Sequence, residues 1–559
     1  MNSILQLRLV RGLSLVGVLV GTVFFAVSLS PSLLPRPFAV QGILSGVSFA
    51  LGYGLGVAGL TLWNFLHLPV AGQRLAHVLA LAGGALCLVV AFAFLWQWST
   101  WQNTIREMMG MEEAVGLRPA IIVPIALAVF IVLLLLARLF RHLLRFLSQR
   151  LAAFVPSRVS FLVSIVVSVA VFWSAIDGVL INFLLRTADQ SFQQLDLLIE
   201  DDLPPPTRAE QTGGPDSLVG WATLGRQGRR FVTGGPDAEA LKSFFGAPLV
   251  APIRVYVGLN SADTPQARVQ LALDELKRVG AFERSVMVVA TPTGTGWIDP
   301  AGQDPLEYLF RGDIATVAVQ YSYLNSPLTL LTGGGYGEET ARALFVAIYD
   351  HWRGLPVHSR PRLYLSGLSL GSLNSDLSFD LFDIIDDPFN GVLWVGPPFR
   401  NESWRRMTRD RNPGSPAWLP RFRDGAVVRF MNQGAAVEEP EQAWSGFRIV
   451  VLQYASDPIT FFEPSAAWRA PDWLSKPRGP DVSPDLRWYP IVTMLQLAAD
   501  MALGTAPRGF GHEYAPTDYI SAWLALSDPQ GWTAPEIERL RELFECSEVS
   551  AHGRCVLPD

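Results

Sequence analysis

The sequence predicts a chain in two parts. An α-helical transmembrane domain of about five spans is followed by an α/β domain with a mostly parallel sheet and helices on both faces. Three observations carry this expectation. Apolar stretches of bilayer length recur before residue 186 and not after it. From Gly220 onward, short apolar runs alternate with helical patterns, as a parallel sheet with crossover helices requires. Finally, Gly367-Leu368-Ser369-Leu370-Gly371 lies between a strand pattern and a helix pattern.

Half of the 559 residues are apolar, only 17% are charged, and the mean hydropathy is +0.28, which is high for a soluble enzyme. About 20 apolar residues span a bilayer as a helix. Such stretches fall near 13–33, 40–63, 76–98, 120–140 and 160–185. A soluble helical bundle is the competing reading, and successive spans almost without charge argue against it. The first stretch could also be a cleaved signal peptide. Further spans follow it, however, and no small-residue cleavage site is evident. Its far end, Ser30-Pro31-Ser32-Leu33-Leu34-Pro35-Arg36-Pro37, reads as a helix exit.

Lys/Arg placement sets the expected orientation. Arg8 and Arg11, then Arg74, then Arg138, Arg141, Arg145, Arg150 and Arg158 flank alternate loops. These loops share one side, expected to be the cytoplasm. Trp96, Trp98 and Trp101 mark the opposite interface. An odd number of spans then puts the chain after residue 186 outside the cytoplasm. Cys546 and Cys555 could pair in an oxidising compartment, or remain free thiols. Asp177 and Asn182 sit in the fifth span. Polar groups at membrane depth are costly and often functional, and here docking of the following domain is favoured over an ion pathway.

A linker is expected over 187–214, rich in proline, glycine and acidic residues. The second domain, 215–559, follows. Strands are expected at 253–259, 285–290, 314–321, 362–365, 392–395 and 448–454, with helices at 264–280, at 338–353 and from Ser372. The stretch 397–447 is rich in Trp, Pro and Arg and interrupts the alternation as a cap insertion would.

The Gly-x-Ser-x-Gly motif meets the requirements of a nucleophile elbow. Gly367 and Gly371 leave room for a strained turn, and Ser369 at its apex points away from both elements. A buried serine in an ordinary strand–turn–helix is the bland alternative. A nucleophilic serine needs a base and an orienting acid, which in this chain order come later, acid before histidine. His512, flanked by Gly509 and Gly511, suits a loop that delivers an imidazole, whereas His552 lies in the C-terminal tail. Asp457 follows the run 448–454 in Ser456-Asp457-Pro458, where it could also cap a helix or form an Asx turn. Asp386, Asp387 and Glu463 are its rivals.

An oxyanion hole needs backbone N–H groups aimed at one point. Leu370, next after the nucleophile, would supply one. The loop Thr291-Pro292-Thr293-Gly294-Thr295-Gly296-Trp297 would supply another, through Thr293 or Gly294. A Gly-x-Gly can also cradle phosphate, but no dinucleotide fingerprint or P-loop accompanies it. No cofactor is implied, and no Cys/His cluster has metal-ligand spacing. The net charge of −6 argues against a nucleic-acid partner.

The segments 28–36, 213–221 and 291–297, the run Val319-Gln320-Tyr321-Ser322-Tyr323-Leu324, Ser369-Leu370-Gly371-Ser372 and Ser456-Asp457-Pro458 together resemble the bacterial membrane-anchored α/β-hydrolase family. That family pairs an N-terminal multi-span domain with a C-terminal hydrolase domain. Many of its members carry glutamate where this chain has Leu368, a position that tolerates variation. The resemblance implies a serine hydrolase and leaves the substrate open.

The expected protein is therefore a serine hydrolase of the bacterial inner membrane, of carboxylesterase or lipase type, with its catalytic domain on the periplasmic or outer side. Its expected partners are the lipid bilayer and an apolar or lipid-like acyl ester; homo-oligomerisation is left open. Trp404, Trp418, Trp444, Trp468 and Trp473 are candidates for an apolar entrance. An acyltransferase using the same triad, and a non-catalytic transport or sensor module, are the alternatives.

Overall fold

In the computed structural model, the described residues are 13–69, 72–113, 119–174, 196, 198–200, 203–323, 335–434 and 442–545. Arg8, Arg11, Asp177, Asn182, Cys546, His552 and Cys555 lie outside them. The chain divides into two units. One comprises residues 1–184, 462–475 and 480–507; the other comprises 185–461, 476–479 and 508–559. The sequence expectation kept 215–559 together. Instead, the stretch between Asp457 and His512 is largely part of the N-terminal unit.

The N-terminal unit begins with α1 (Leu15–Ser28), α2 (Phe38–Phe65), α3 (Gln73–Met108), α4 (Pro119–Leu151) and α5 (Ser157–Trp173). The helices α2, α3 and α4 are long and apolar enough to cross a membrane. The chain is accordingly a membrane-anchored protein. Small residues let the helices approach closely, as within bilayers. A Cβ at Gly56 would lie 2.7 Å from the Val16 carbonyl oxygen of α1. One at Gly46 would lie 2.7 Å from the Ala126 carbonyl oxygen of α4.

The first stretch is shorter than expected. Ser14 caps α1, and the helix stops at Ser28 because a polar network takes over. Arg36 donates to the Ser30 carbonyl at 2.9 Å, and Gln41 to the Ser28 carbonyl at 3.0 Å. The helix Val492–Leu503 joins the same network, with Gln496 donating to the Ser30 carbonyl at 3.0 Å.

The second unit is built on a seven-stranded sheet in the order β1-β3-β2-β4-β5-β7-β6. The strands are β1 (Ile253–Val257), β2 (Val286–Thr291), β3 (Ile314–Val319), β4 (Arg362–Leu368), β5 (Gly391–Val395), β6 (Val428–Met431) and β7 (Arg448–Leu452). Every pairing is parallel. β1, β2, β3 and β5 are buried at every position, which is why they read as continuous apolar runs rather than alternating ones.

Helices cover the sheet. Thr264 caps the helix Pro265–Arg278, which packs on β1 and β3. The helix Pro516–Ser527 packs on β5 and β7 and meets Pro300–Leu309 across a core containing Trp523, Tyr519 and Leu306. β6 falls inside the expected cap 397–447, so that stretch supplies an edge strand of the sheet. The expected linker is exposed at residues such as Thr207 and packs only towards its end, where Thr212 is buried and the Ala209 carbonyl accepts from Arg278 at 2.7 Å.

Candidate active site

The site is built at the carboxyl ends of β4, β5 and β7, within the second unit. Ser369 follows β4 and precedes the helix Leu370–Asp376. Its backbone stands at φ 56°, ψ −124°, a region side chains rarely enter. Its amide donates to the Val395 carbonyl at 2.9 Å, which pins the turn to β5. The two glycines are required by contact. A Cβ at Gly367 would lie 2.3 Å from the Gly371 carbonyl carbon, and one at Gly371 would lie 2.2 Å from the Thr291 carbonyl oxygen.

Asp457 follows β7 and is fully buried. His512 Nδ1 lies 2.7 Å from Asp457 Oδ2. The same oxygen accepts from the Tyr514 hydroxyl at 2.8 Å and from Thr460 Oγ1 at 3.1 Å. Asp457 Oδ1 accepts the Ile459 amide at 2.8 Å. The alternative reading of Asp457 as a turn cap is thus also correct locally: it caps the turn and meets the imidazole.

Two devices hold the His512 loop. Ser456 Oγ accepts the Gly511 amide at 2.8 Å. Gly396, at φ +49°, leaves room for the ring, since a Cβ there would lie 2.6 Å from His512 Cε1. Gly396 directly follows Val395, the acceptor of the Ser369 amide, so the histidine loop and the elbow converge on one turn after β5. Ser369 Oγ and His512 Nε2 are both buried, and neither has a hydrogen-bond partner among the described residues. Burial pushes the His512 imidazole down, but the charge and hydrogen bond of Asp457 outweigh it, so its pKa stands above the ordinary value.

Of the expected oxyanion donors, Thr293 is already engaged: its amide donates to the Trp297 carbonyl at 3.0 Å, closing a turn. The amides of Gly294 and Leu370 carry no backbone bond among the described residues. The loop is pinned at Gly296, where φ is +86° and the carbonyl accepts the Tyr256 hydroxyl at 2.8 Å. The Thr291 carbonyl against Gly371 sets this loop beside the elbow.

The rival acids have settings of their own. Asp387 is paired with Arg360, Asp386 is exposed, and Glu463 belongs to the N-terminal unit. The candidate entrance tryptophans divide between the two units, and those of the second unit have local partners of their own. Trp404 is buried and donates to Gln453 at 2.6 Å, while Trp444 lies under the Arg429 guanidinium at 3.6 Å. Trp418 donates to the Pro477 carbonyl at 2.9 Å, and Trp468 and Trp473 belong to the other unit. Sequence reasoning missed Tyr514 and Ser456. Ser456 precedes Asp457 and Tyr514 lies two residues after His512, and that proximity is the available signal.

A parallel sheet with a serine elbow after β4, an acid after β7 and a later histidine loop has the architecture of an α/β hydrolase. A model described as an alpha/beta-hydrolase family matches residues 253–540, and a model of that family's N-terminus matches residues 29–236. The chain belongs to this alpha/beta-hydrolase family. No curated protein and no solved structure matches it.

Proposed function

We propose that the chain is a serine hydrolase that cleaves carboxylic esters with apolar or lipid-like acyl groups. The carrying observation is the 2.7 Å contact between His512 Nδ1 and Asp457 Oδ2, set over an elbow whose serine is held at positive φ. Asp457 fixes the proton on Nδ1, so Nε2 presents a lone pair. Ser369 Oγ attacks the ester carbonyl while Nε2 takes its proton. The oxyanion is met by the Leu370 amide and a Gly294 amide. His512 then returns the proton to the leaving alcohol, and water releases the acyl group by the same route.

The anchoring helices favour substrates partitioned into a bilayer. The arginine placement supports a bacterial inner-membrane location with the catalytic unit on the periplasmic side. A cysteine placed at exposed Thr207 should then be labelled by impermeant reagent in intact cells, and one at Arg145 should not; the reverse pattern inverts this topology.

The main test is labelling of the purified full chain by a fluorophosphonate, alongside turnover of p-nitrophenyl esters of graded acyl length. Ser369→Ala should abolish both while leaving the fold intact. A labelled or active Ser369→Ala protein would remove Ser369 as nucleophile.

A further inference from the structure

We infer that Tyr514 is a positioning residue for the catalytic acid: its hydroxyl, with that of Thr460, orients the Asp457 carboxylate so that His512 is held in the tautomer that leaves Nε2 free. This rests on the serine-hydrolase reading above and deepens it.

The geometry is specific. Asp457 is fully buried, and a buried carboxylate must have its lone pairs filled. Oδ1 takes the Ile459 amide at 2.8 Å and the Thr460 amide at 3.4 Å. Oδ2 takes the Tyr514 hydroxyl at 2.8 Å, Thr460 Oγ1 at 3.1 Å and the imidazole at 2.7 Å. The hydroxyls and amides donate to an ionised carboxylate, which can only accept. The imidazole must therefore also donate, and its proton is fixed on Nδ1. With the hydroxyls holding one side of Oδ2, the carboxylate cannot swing away from the ring.

Tyr514 is itself well fixed. It is 2% exposed, and its ring stacks on Tyr454 at 4.3 Å between centroids. A Cβ at Gly396 would lie 2.9 Å from its Cε2, so the glycine that accommodates His512 accommodates Tyr514 as well. The charged and titratable neighbours are few. His512 faces Asp457, Glu513 and Asp299. Glu513 in turn faces Arg508, and Tyr514 faces Asp457 and Tyr454. Of these, Tyr514 alone is seen to donate a side-chain hydrogen bond to the oxygen that holds the imidazole.

The sign of the effect follows. A donated hydrogen bond disperses the negative charge of Asp457. Removing it concentrates that charge on His512 and favours the imidazolium, so the imidazole titrates at higher pH. The carboxylate also gains freedom to rotate, so reaction slows at every pH.

The test is the pH dependence of fluorophosphonate labelling of the full-length protein, which reads the free-enzyme base directly. In Tyr514→Phe the plateau rate should fall about tenfold, the scale of a hydrogen bond to a charged group. The acidic limb should move up by about 0.5–1 pH unit, as a changed charge partner would move it. Thr460→Val should move the limb in the same direction, and its outcome decides the matter if Tyr514→Phe fails to fold. A ring that serves only as packing would leave the limb in place. If the wild-type chain is labelled and both variants keep its rate and its limb, the inference is overturned and the hydrolase reading stands. If the wild-type chain is not labelled, both are overturned.

Discussion

Arg36 and Asp500 meet as a buried ion pair, with Arg36 Nε 3.7 Å from Asp500 Oδ1 and neither side chain exposed. The Asp500 carboxylate also accepts the Leu33 amide at 3.0 Å and the Leu34 amide at 3.3 Å. The segment Ser30–Arg36, prominent in the sequence yet remote from the catalytic motifs, thus receives a helix from far along the chain. That helix, Val492–Leu503, lies in sequence between Asp457 and His512. The stretch leading into the histidine loop is therefore built into the unit that carries the membrane helices.

The pair sets a prediction about stability. Removing one member of a buried pair strands the other, which costs about 3–5 kcal/mol, whereas replacing both by apolar residues of similar size is often close to neutral. Asp500→Ala should therefore lower the thermal midpoint of the detergent-solubilised protein markedly. Arg36→Met combined with Asp500→Leu should recover part of the loss, the remainder being the cost of the Leu33 and Leu34 amides left without their acceptor. A double variant as unstable as the sum of the singles would mean that the two side chains act separately.

What the sequence made legible was local. The elbow announces itself because the strand, the two glycines and the serine are contiguous. Asp457 and His512 followed from chain order, since an acid after a late strand and a glycine-flanked histidine leave few candidates. The four strands buried at every position, β1, β2, β3 and β5, read as apolar runs. β6 did not, because it is a four-residue edge strand with Arg429 in its middle, set in a stretch that otherwise reads as an insertion. Membership of 480–507 in the N-terminal unit was also hidden. It depends on Arg36 meeting Asp500, a pairing that no periodicity within either segment encodes. Thr293 and Gly294 are equal candidates in the sequence, because the bond from the Thr293 amide to the Trp297 carbonyl that separates them belongs to the folded turn.

Gly396 offers a test of how tightly the histidine is held. An added Cβ would lie 2.6 Å from His512 Cε1, and φ there is +49°. Gly396→Ala should push the imidazole out of line and lower kcat by about 10²-fold, the scale of a 1 Å misplacement. Gly414→Ala is the control. It has φ +84° but open space around the Cβ, so it carries the backbone strain without the contact and should keep its activity. Equal losses in the two variants would mean strain alone is responsible.

The raised pKa of His512 makes activity and stability diverge with pH. The base works only when neutral, so ester turnover should rise through an acidic limb above the ordinary histidine value of about 6.5. The stability contributed by the same group has the opposite sign. A folded pKa above the unfolded one stabilises fully below about 6.5 and is lost as pH rises through the folded value. Between those values, turnover should increase while the His512 contribution to the thermal midpoint declines. Subtracting the His512→Ala profile isolates that contribution. A difference that grows with pH across this window would reverse the assignment of the shift.

The last prediction takes the acid and base together. If Asp457 orients His512 and stabilises its imidazolium, Asp457→Asn should keep the fold, because an amide oxygen in the Oδ1 place still accepts from the Ile459 and Thr460 amides, and the Tyr514 hydroxyl can turn to accept from the amide nitrogen in the Oδ2 place. That nitrogen can also donate to Nδ1, which favours the wrong tautomer and leaves the proton on Nε2. Turnover should then fall by roughly 10⁴, as where a triad acid is replaced by its amide. His512→Ala should lose at least as much. The double variant should lose little beyond His512→Ala alone, since members of a triad act as a unit and their effects do not add. Steady-state turnover of one p-nitrophenyl ester by all four proteins closes the cycle. Losses that multiply would mean that the 2.7 Å contact between Asp457 and His512 is structural, and that Asp457 serves only the turn it caps.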